Sequence, residues 1–335
     1  MNELRQALQW LHADLPPDEL AQRMSGYCGR LQSQPPGLRR GLLPRMLTAA
    51  ANGSQAAWAE AHPTISSKDK GAANSFVAGC YFCPLAGKVA NLGSARAAQG
   101  WEAQAAGLLQ AQIAELQAAG WAQIQAVVPA EDGQTQELLR RAGLRLLTHV
   151  QHHYLPVADS ASGRGGRREA AALLVEASIE RKMGGSQLRW QPANKLSARR
   201  LARLVERTFE QTLDCPALNG RRTAAQVLEG FLDGRALRQL GRWWELLEWD
   251  DEPVGCLLLQ AHASDLVEIV YLGLVPAARG RRLGQQLVHR AIGHCQTRGA
   301  RWLIAAVDEQ NWPAVGMYRA TGFFEHQRFS VWLED

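Results

Sequence analysis

From residue 187 onward the apolar positions switch repeatedly between alternate and helical spacing. Residues 187–190 read as a strand. Over 196–209, Leu201, Leu204, Val205 and Phe209 fall on one side, the spacing of an amphipathic helix. A polar loop, 210–222, leads into a short helix over 223–232. Two strands, 243–249 and 253–260, meet at Asp250-Asp251-Glu252, a hairpin signal. The run 267–275 is apolar on both faces, which predicts a central strand. Leu283, Leu287, Val288, Ala291, Ile292 and Cys295 then set a helix over 282–297. A strand at 302–307, a helix at 312–320 and a strand near 328–333 follow. This alternation predicts an α/β layer structure around a mixed sheet.

The clearest break is ADSASGRGGRRE, 158–169, nearly free of large apolar residues and rich in Gly, Ser and Arg. That is linker chemistry. A helical stretch is expected after it to about Lys182, ended by Gly184-Gly185. The expected division is 1–157, a connecting segment 158–184, and 185–335.

The two halves repeat. Shifted by 179 positions, AAGWAQIQAVVPAEDGQTQELLRRAGL (118–144) falls without gaps on TRGARWLIAAVDEQNWPAVGMYRATGF (297–323). Gly120 meets Gly299, and Gly143 meets Gly322. Upstream, Leu108 meets Leu287 and Ile113 meets Ile292. A constant offset in apolar periodicity and two glycines predicts a duplicated framework.

Composition adds bounds. With 335 residues, 46% of them hydrophobic, each half can bury a core. No run is long and apolar enough for a membrane span, and no export signal opens the chain. Six cysteines then fit reduced thiols in a cytoplasm. The net charge of +5 comes from scattered arginines with no basic run interleaved with aromatics, so a nucleic-acid partner is not expected. No metal is expected either. Cys80 and Cys83 form a lone CxxC in an apolar setting and read as core cysteines. His149, His152 and His153 read as part of a half-exposed strand, against the alternative of a metal site.

Candidate chemistry begins at VEIVYLGLVPAARGRRLGQQLV, 267–288. A central strand ends at Pro276, a basic glycine-containing loop follows, and a helix starts at once. The helix N-terminus offers unpaired N–H groups and a positive dipole end, an anion site. Gly280 and Gly284 let backbone approach a bulky phosphate. Arg279, Arg281 and Arg282 add charge. A tight strand–helix connection is the competing reading of this loop alone.

One strand later comes NWPAVGMYRATGF, 311–323. Loop and helix together resemble the (Arg/Gln)-x-x-Gly-x-(Gly/Ala) coenzyme A signature of the GNAT N-acetyltransferase superfamily. Asn311, Ala314, Tyr318, Gly322 and Phe323 resemble its second signature. The resemblance covers roughly 186–333. Arg282 stands where the family usually has its first signature glycine, and there it is expected to take ordinary helical angles. The resemblance implies acetyl-CoA as co-substrate. It implies that backbone groups of Leu274 and Val275 pair with the pantetheine arm. Backbone N–H groups of Arg279, Gly280, Arg281, Arg282, Leu283 and Gly284 would hold the pyrophosphate. Asn311 would lie near the pantetheine or the amine, and Tyr318 would reach the thioester sulfur as general acid.

Glu268 is out of pattern in an apolar strand, where a carboxylate is costly unless solvated or paired. It lies eleven residues before Arg279, as the catalytic Glu of GNAT histone acetyltransferases does. It is therefore a candidate base, the alternative being a solvated strand end. The chemistry needs an acceptor. An amine of pKa about 10.4 is some three units above pH 7.4, worth about 4 kcal/mol. In the loop 209–222, Asp214, Asn219, Arg221 and Arg222 are polar groups that could fix a substrate, or simply cap a surface loop.

At the same offset the N-terminal half has Gly100, Trp101 and Glu102 against Arg279, Gly280 and Arg281, Val89 against Glu268, Asp132 against Asn311 and Leu139 against Tyr318. The expectation is two GNAT-like domains in tandem, the N-terminal one degenerate. That arrangement is similar to tandem GNAT proteins such as mycothiol synthase, which have one catalytic half. The function implied is acetyl transfer to a primary amine of a small molecule or peptide. The alternative is a non-catalytic acyl-CoA sensor. Acceptor, acyl-chain preference and oligomeric state are left open.

Overall fold

The computed structural model describes residues 9–11, 57–61, 78–85, 88–157 except 94 and 98, 180–183, 186–232, 239, and 243–334 except 263 and 264. The linker 158–169 lies outside the described residues. The strands are β1 (Gln9–Leu11), β2 (Ala57–Ala61), β3 (Ala78–Leu85), β4 (Val89–Leu92), β5 (Arg96–Ala97), β6 (Gln123–Pro129), β7 (Arg145–Pro156), β8 (Glu180–Met183), β9 (Ser186–Pro192), β10 (Trp244–Trp249), β11 (Glu252–Ala261), β12 (Leu266–Leu274), β13 (Trp302–Asp308) and β14 (Phe324–Leu333). The helices are α1 (Glu102–Ala118), α2 (Gly133–Arg141), α3 (Ala198–Phe209), α4 (Ala224–Leu232), α5 (Leu283–Arg298) and α6 (Trp312–Ala320). No helix among the described residues is long and apolar enough to cross a membrane.

The chain divides into two compact units. One holds Met1–Leu147 with Phe329–Asp335, the other Thr148–Arg328. In the first, β1 to β4 pair antiparallel in sequence order, β4 runs parallel to β6, and Phe329–Leu333 of β14 pairs antiparallel with β6. Leu108 and Leu109 of α1 and Leu138 and Leu139 of α2 bury against Leu92, Ile124 and Trp332. In the second, Val150–Pro156 of β7 pairs antiparallel with β13, and β13 runs parallel to β12. Strands β12, β11, β10, β9 and β8 then follow antiparallel. Leu201, Leu204 and Val205 of α3 and Leu287, Val288 and Ala291 of α5 close a core with Leu257, Val267 and Leu303. The units are not coextensive with 1–157 and 185–335, because each takes one strand segment from the other half of the sequence.

Two expectations need correction. The stretch ending near Lys182 is not helical at its end: Glu180–Met183 is a strand paired with β9, Glu180 opposite Arg189. A backbone ladder with β9 overrides a weak local helix preference. The strand that carries the three histidines is half-exposed, with His149 and His152 partly exposed, but His153 is fully buried. Cys80 and Cys83 lie on β3, and their side chains are outside the described residues.

The duplication is visible in the elements. β6 and β13 begin and end 179 residues apart, as do α2 and α6. Gly120 and Gly299 share a left-handed φ of 74° and 77°, and Gly143 and Gly322 share 97° and 92°. These are helix-ending positions where a side chain would be strained. Upstream the offset slips. Gln125 pairs with Asn91, whereas its counterpart Ile304 pairs with Glu268. Asn91, not Val89, therefore holds the place of Glu268. Ungapped alignment missed it because the second copy has a longer path from this strand to its helix.

Candidate active site

The site forms where β12 and β13 part. On β11, Leu258 pairs with Tyr271 and Leu259 with Ile269, so Val270 is an extra, bulged residue on β12. β12 pairs with β13 only over Leu266–Ile269, opposite Trp302–Ala305. β13 continues alone beside β7 as far as Asp308, opposite Val150. Past the bulge, the β12 edge that faced β13 has no ladder partner among the described residues, so its backbone groups are open to an extended ligand. At the end of this strand, the Leu274 carbonyl accepts from Arg279 Nε at 3.1 Å, and the Val275 N–H donates to the Val254 carbonyl at 2.9 Å. The Val275 carbonyl also accepts the Ala278 N–H at 2.9 Å, so both backbone groups of Val275 and the carbonyl of Leu274 are already engaged.

The loop after β12 makes a single 3-10 turn, Pro276–Ala278, and α5 starts at Leu283. The backbone N–H groups of 280–284 make no hydrogen bond among the described residues. Unpaired donors of this kind at the positive end of α5 suit a multiply charged oxyanion. Two glycines are explained by space and angle. A Cβ on Gly284 would lie 2.7 Å from Met317 Sδ, and Gly280 has φ +72°. Arg282, expected to be helical, is instead left-handed at φ 60°, ψ 13°. The loop keeps the conformation a glycine would favour, and an exposed arginine adopts it.

The three arginines do different things. The Arg279 guanidinium donates to the carbonyls of Thr208, Glu210 and Gln211 at 2.8 to 2.9 Å, besides Leu274. It therefore ties the C-terminal end of α3 to the loop, and its own N–H is bonded to the Pro276 carbonyl. Arg281 lies over the Trp249 ring at 4.6 Å. Arg282 is exposed.

Tyr318 lies on α6, 5% exposed, its ring 5.1 Å from Phe323 and 6.0 Å from the His153 imidazole. Its hydroxyl has no hydrogen-bond partner among the described residues. Burial, with a smaller contribution from the Asp214 charge, pushes its acidity well below that of a free phenol. Burial likewise lowers the His153 pKa, with Nε2 held by Gln151 Oε1 at 3.0 Å and Nδ1 without a partner among the described residues. Asn311 is first a helix cap: its Oδ1 accepts the Ala314 N–H at 3.4 Å. Glu268 pairs across the sheet with Gln260 and Ile304, is 20% exposed at its side chain, and its Oε2 meets Nε2 of His262.

Of the acceptor-side residues, Asp214 has a defined partner. The residue as a whole is exposed, but Oδ1 accepts the Asp308 N–H at 2.9 Å. Asp308 in turn accepts from the Cys215 N–H at 2.9 Å and from Thr148 Oγ1 at 2.8 Å. This reciprocal knot fixes the loop 210–222 to the end of β13. Burial raises the Asp214 pKa most. Its bond from the Asp308 N–H opposes that rise, and the Asp308 charge adds to it. Asn219 Nδ2 reaches only the Phe209 carbonyl, at 3.4 Å, and Arg221 is exposed on the same loop. Asp308, His153 and His262 were not singled out as site residues in the sequence. Asp308 closes a strand in an otherwise apolar run, a signal that could have found it. Among the described residues no cluster of His, Cys, Asp and Glu is arranged to hold a metal ion.

The corresponding helix end of the first unit carries different chemistry. Glu102 sits in the first turn of α1, and its carboxylate accepts the Gly100 N–H at 3.2 Å. A side chain of the protein thus supplies the negative charge at that helix end. Asp132 caps α2 as Asn311 caps α6, and Arg96 neutralises it at 3.0 Å.

Residues 205–323 match the acetyltransferase (GNAT) family. A mycothiol acetyltransferase of Corynebacterium glutamicum (strain R) is 39% identical over 93 residues, 26% of this chain and 32% of the relative. The aligned segments span about a third of the length of the three curated Corynebacterium relatives. Among solved structures, a GCN5-related N-acetyltransferase from Sphaerobacter thermophilus superimposes with a TM-score of 0.60 at 16% identity, over 97% of this chain and 95% of that one. A tandem GNAT protein from the clavulanic acid biosynthesis pathway gives 0.53 at 14% identity, over 97% and 98%. At these identities the structural likeness establishes the fold.

Proposed function

Since residues 205–323 form a domain of the GNAT acetyltransferase family, we propose that the chain transfers an acetyl group from acetyl-CoA to a primary amine, using the second unit alone. The observation that carries this reading is the pairing of an open strand edge after Val270 with the row of unbonded N–H groups at 280–284. The first suits the amide-bearing pantetheine arm and the second suits the pyrophosphate. Leu274 and Val275 flank the arm. Gly280, Arg281, Arg282, Leu283 and Gly284 hold the phosphates, while Arg279 positions the loop rather than contacting the ligand.

The chemistry follows from two groups. Glu268 accepts a proton from the bound ammonium, freeing the nitrogen lone pair to attack the thioester carbonyl. As the C–S bond breaks, the leaving sulfur takes the phenolic proton of Tyr318, and the second proton that the nitrogen sheds on becoming an amide restores the phenol. Burial keeps Tyr318 a phenol at neutral pH, so the proton is there to give. Asn311 orders the start of α6 beneath the reacting groups. The acceptor meets the loop 210–222, whose position Asp214 fixes and from which Asn219 and Arg221 project. The first unit, with Glu102 at its helix end, binds no acetyl-CoA.

The test is release of free thiol from acetyl-CoA over a panel of amines. The relatives' name makes the unacetylated form of mycothiol the first acceptor to try, followed by amino sugars, polyamines and peptides. Turnover of one or more amines, lost in Glu268→Gln, is the expected result. Tight acetyl-CoA binding with no turnover of any amine would overturn the enzyme reading.

A further inference from the structure

Strand β11 ends at Ala261, and β12 begins at Leu266. The register across this turn is fixed: Gln260 lies opposite Glu268, Ala261 lies opposite Val267, and the His262 N–H donates to the Leu266 carbonyl at 3.1 Å. Alternation then puts His262, Gln260 and Glu268 on one face of the sheet. His262 and Glu268 are diagonal neighbours, a separation that long side chains bridge. A slip of one residue in this turn would send the imidazole to the other face. The contact is made: His262 Nε2 meets Glu268 Oε2, with the two side chains 34% and 20% exposed.

This contact has a consequence for a carboxylate acting as base. A glutamate side chain has three rotatable bonds and is otherwise free to swing. A base must be within hydrogen-bond reach of the proton it removes, and the cost of placing it is lower when it is already held. We infer that His262 is a positioning residue for the acetyl transfer, donating through Nε2–H to one oxygen of Glu268 so that the other faces the acceptor ammonium. The inference rests on the reading of Glu268 as base. It needs no proton to pass through the imidazole, because both neutral and cationic forms of His262 can donate from Nε2. In the same turn, Asp265 faces Arg301 at 3.9 Å.

The test uses the full chain, acetyl-CoA and the best amine of the panel. His262→Leu removes the donor and is expected to lower kcat about tenfold, the fold-change of losing one charge-assisted hydrogen bond. The KM for acetyl-CoA and the thermal midpoint should stay as in the parent. His262→Gln keeps an N–H donor of similar reach and should restore kcat to within about threefold. Glu268→Gln with His262→Leu should be no slower than Glu268→Gln alone, since the two residues act as one unit. A full-rate His262→Leu beside an impaired Glu268→Gln would overturn the positioning role and leave the base standing. Additive losses in the double variant, or no rescue by glutamine, would also overturn it. A fully active Glu268→Gln would remove the base, and this inference with it.

Discussion

Replacing Arg282 by glycine and by alanine separates backbone strain from charge at the signature loop. Both substitutions remove the same guanidinium, so their electrostatic effects cancel in the comparison. The backbone at this position is left-handed, with φ 60° and ψ 13°. A residue with a Cβ gives up roughly 1–2 kcal/mol in that region, and glycine does not. Glycine in turn gains about 0.4–1 kcal/mol of freedom in the unfolded chain, which favours unfolding. The difference leaves Arg282→Gly more stable than Arg282→Ala by about 1 kcal/mol. With a urea m-value of about 1–3 kcal/mol/M, that separates the two midpoints by about 0.3–1 M. In a thermal scan the same difference is about 2–4 °C for a unit of this size. Equal midpoints, or a more stable alanine variant, would refute a left-handed residue at 282.

Tyr318→Phe should lower kcat about a hundredfold while leaving the midpoint of unfolding nearly unchanged, because the lost hydroxyl has no partner among the described residues; stopped assays and a urea titration read the two effects. Glu245 is buried with Arg290, at 2.6 Å, and His294, at 2.9 Å. Burial alone would raise its pKa, but the bonds from Arg290 and His294 hold it below the ordinary carboxylate value. A lowered carboxylate contributes stability above its unfolded pKa and loses it as pH falls through the folded one, so urea midpoints should drop below about pH 4. Glu245→Gln should remove about 3–5 kcal/mol at neutral pH by breaking the buried ion pair with Arg290, and a small urea shift would contradict this. Asp214 has the opposite sign: its raised pKa means that ionising it weakens the fold as pH rises through the folded value. Asp214→Asn can still accept the Asp308 N–H, so it should match or exceed the parent midpoint at pH 7 and flatten its pH dependence. A clear loss of stability in Asp214→Asn would reject that assignment.

Much of the second unit was legible. Apolar spacing located α3, α5 and β12, and the constant offset anticipated that β6 and β13, and α2 and α6, would begin and end at matching positions. Those features are local, or depend on helix-ending glycines whose φ is local. What the sequence concealed depends on pairing between distant residues. The bulge at Val270 is visible only against β11, and Asn91 takes the place of Glu268 only through the register of β4 on β6. His153 looked half-exposed because its face of the strand also carries His149 and Gln151. Its face became clear only when α6 was seen to cover it with Tyr318. Arg282 was misjudged because its angles are set by a loop held in place by Arg279 rather than by its own preference. The site residues whose geometry is settled by backbone N–H groups were easier to anticipate than those settled by side-chain partners such as His262 and Asp308.

The reciprocal use of Phe329–Leu333 and Val150–Pro156 has a consequence for how this chain can form. Pro129 and its partner Phe329 are separated by 200 residues, so the edge of β6 stays exposed until most of the sequence is available. The entropy of closing so long a loop grows only with the logarithm of its length, and the finished pairing is thermodynamically cheap. It is kinetically late, because non-local strand pairing is slow and leaves an unpaired edge open to other chains meanwhile. The two copies of the framework therefore cannot mature one after the other as independent modules. A cut anywhere between residues 157 and 328 leaves both pieces with a strand that belongs to the other, and recombination of the two pieces should restore what neither has alone.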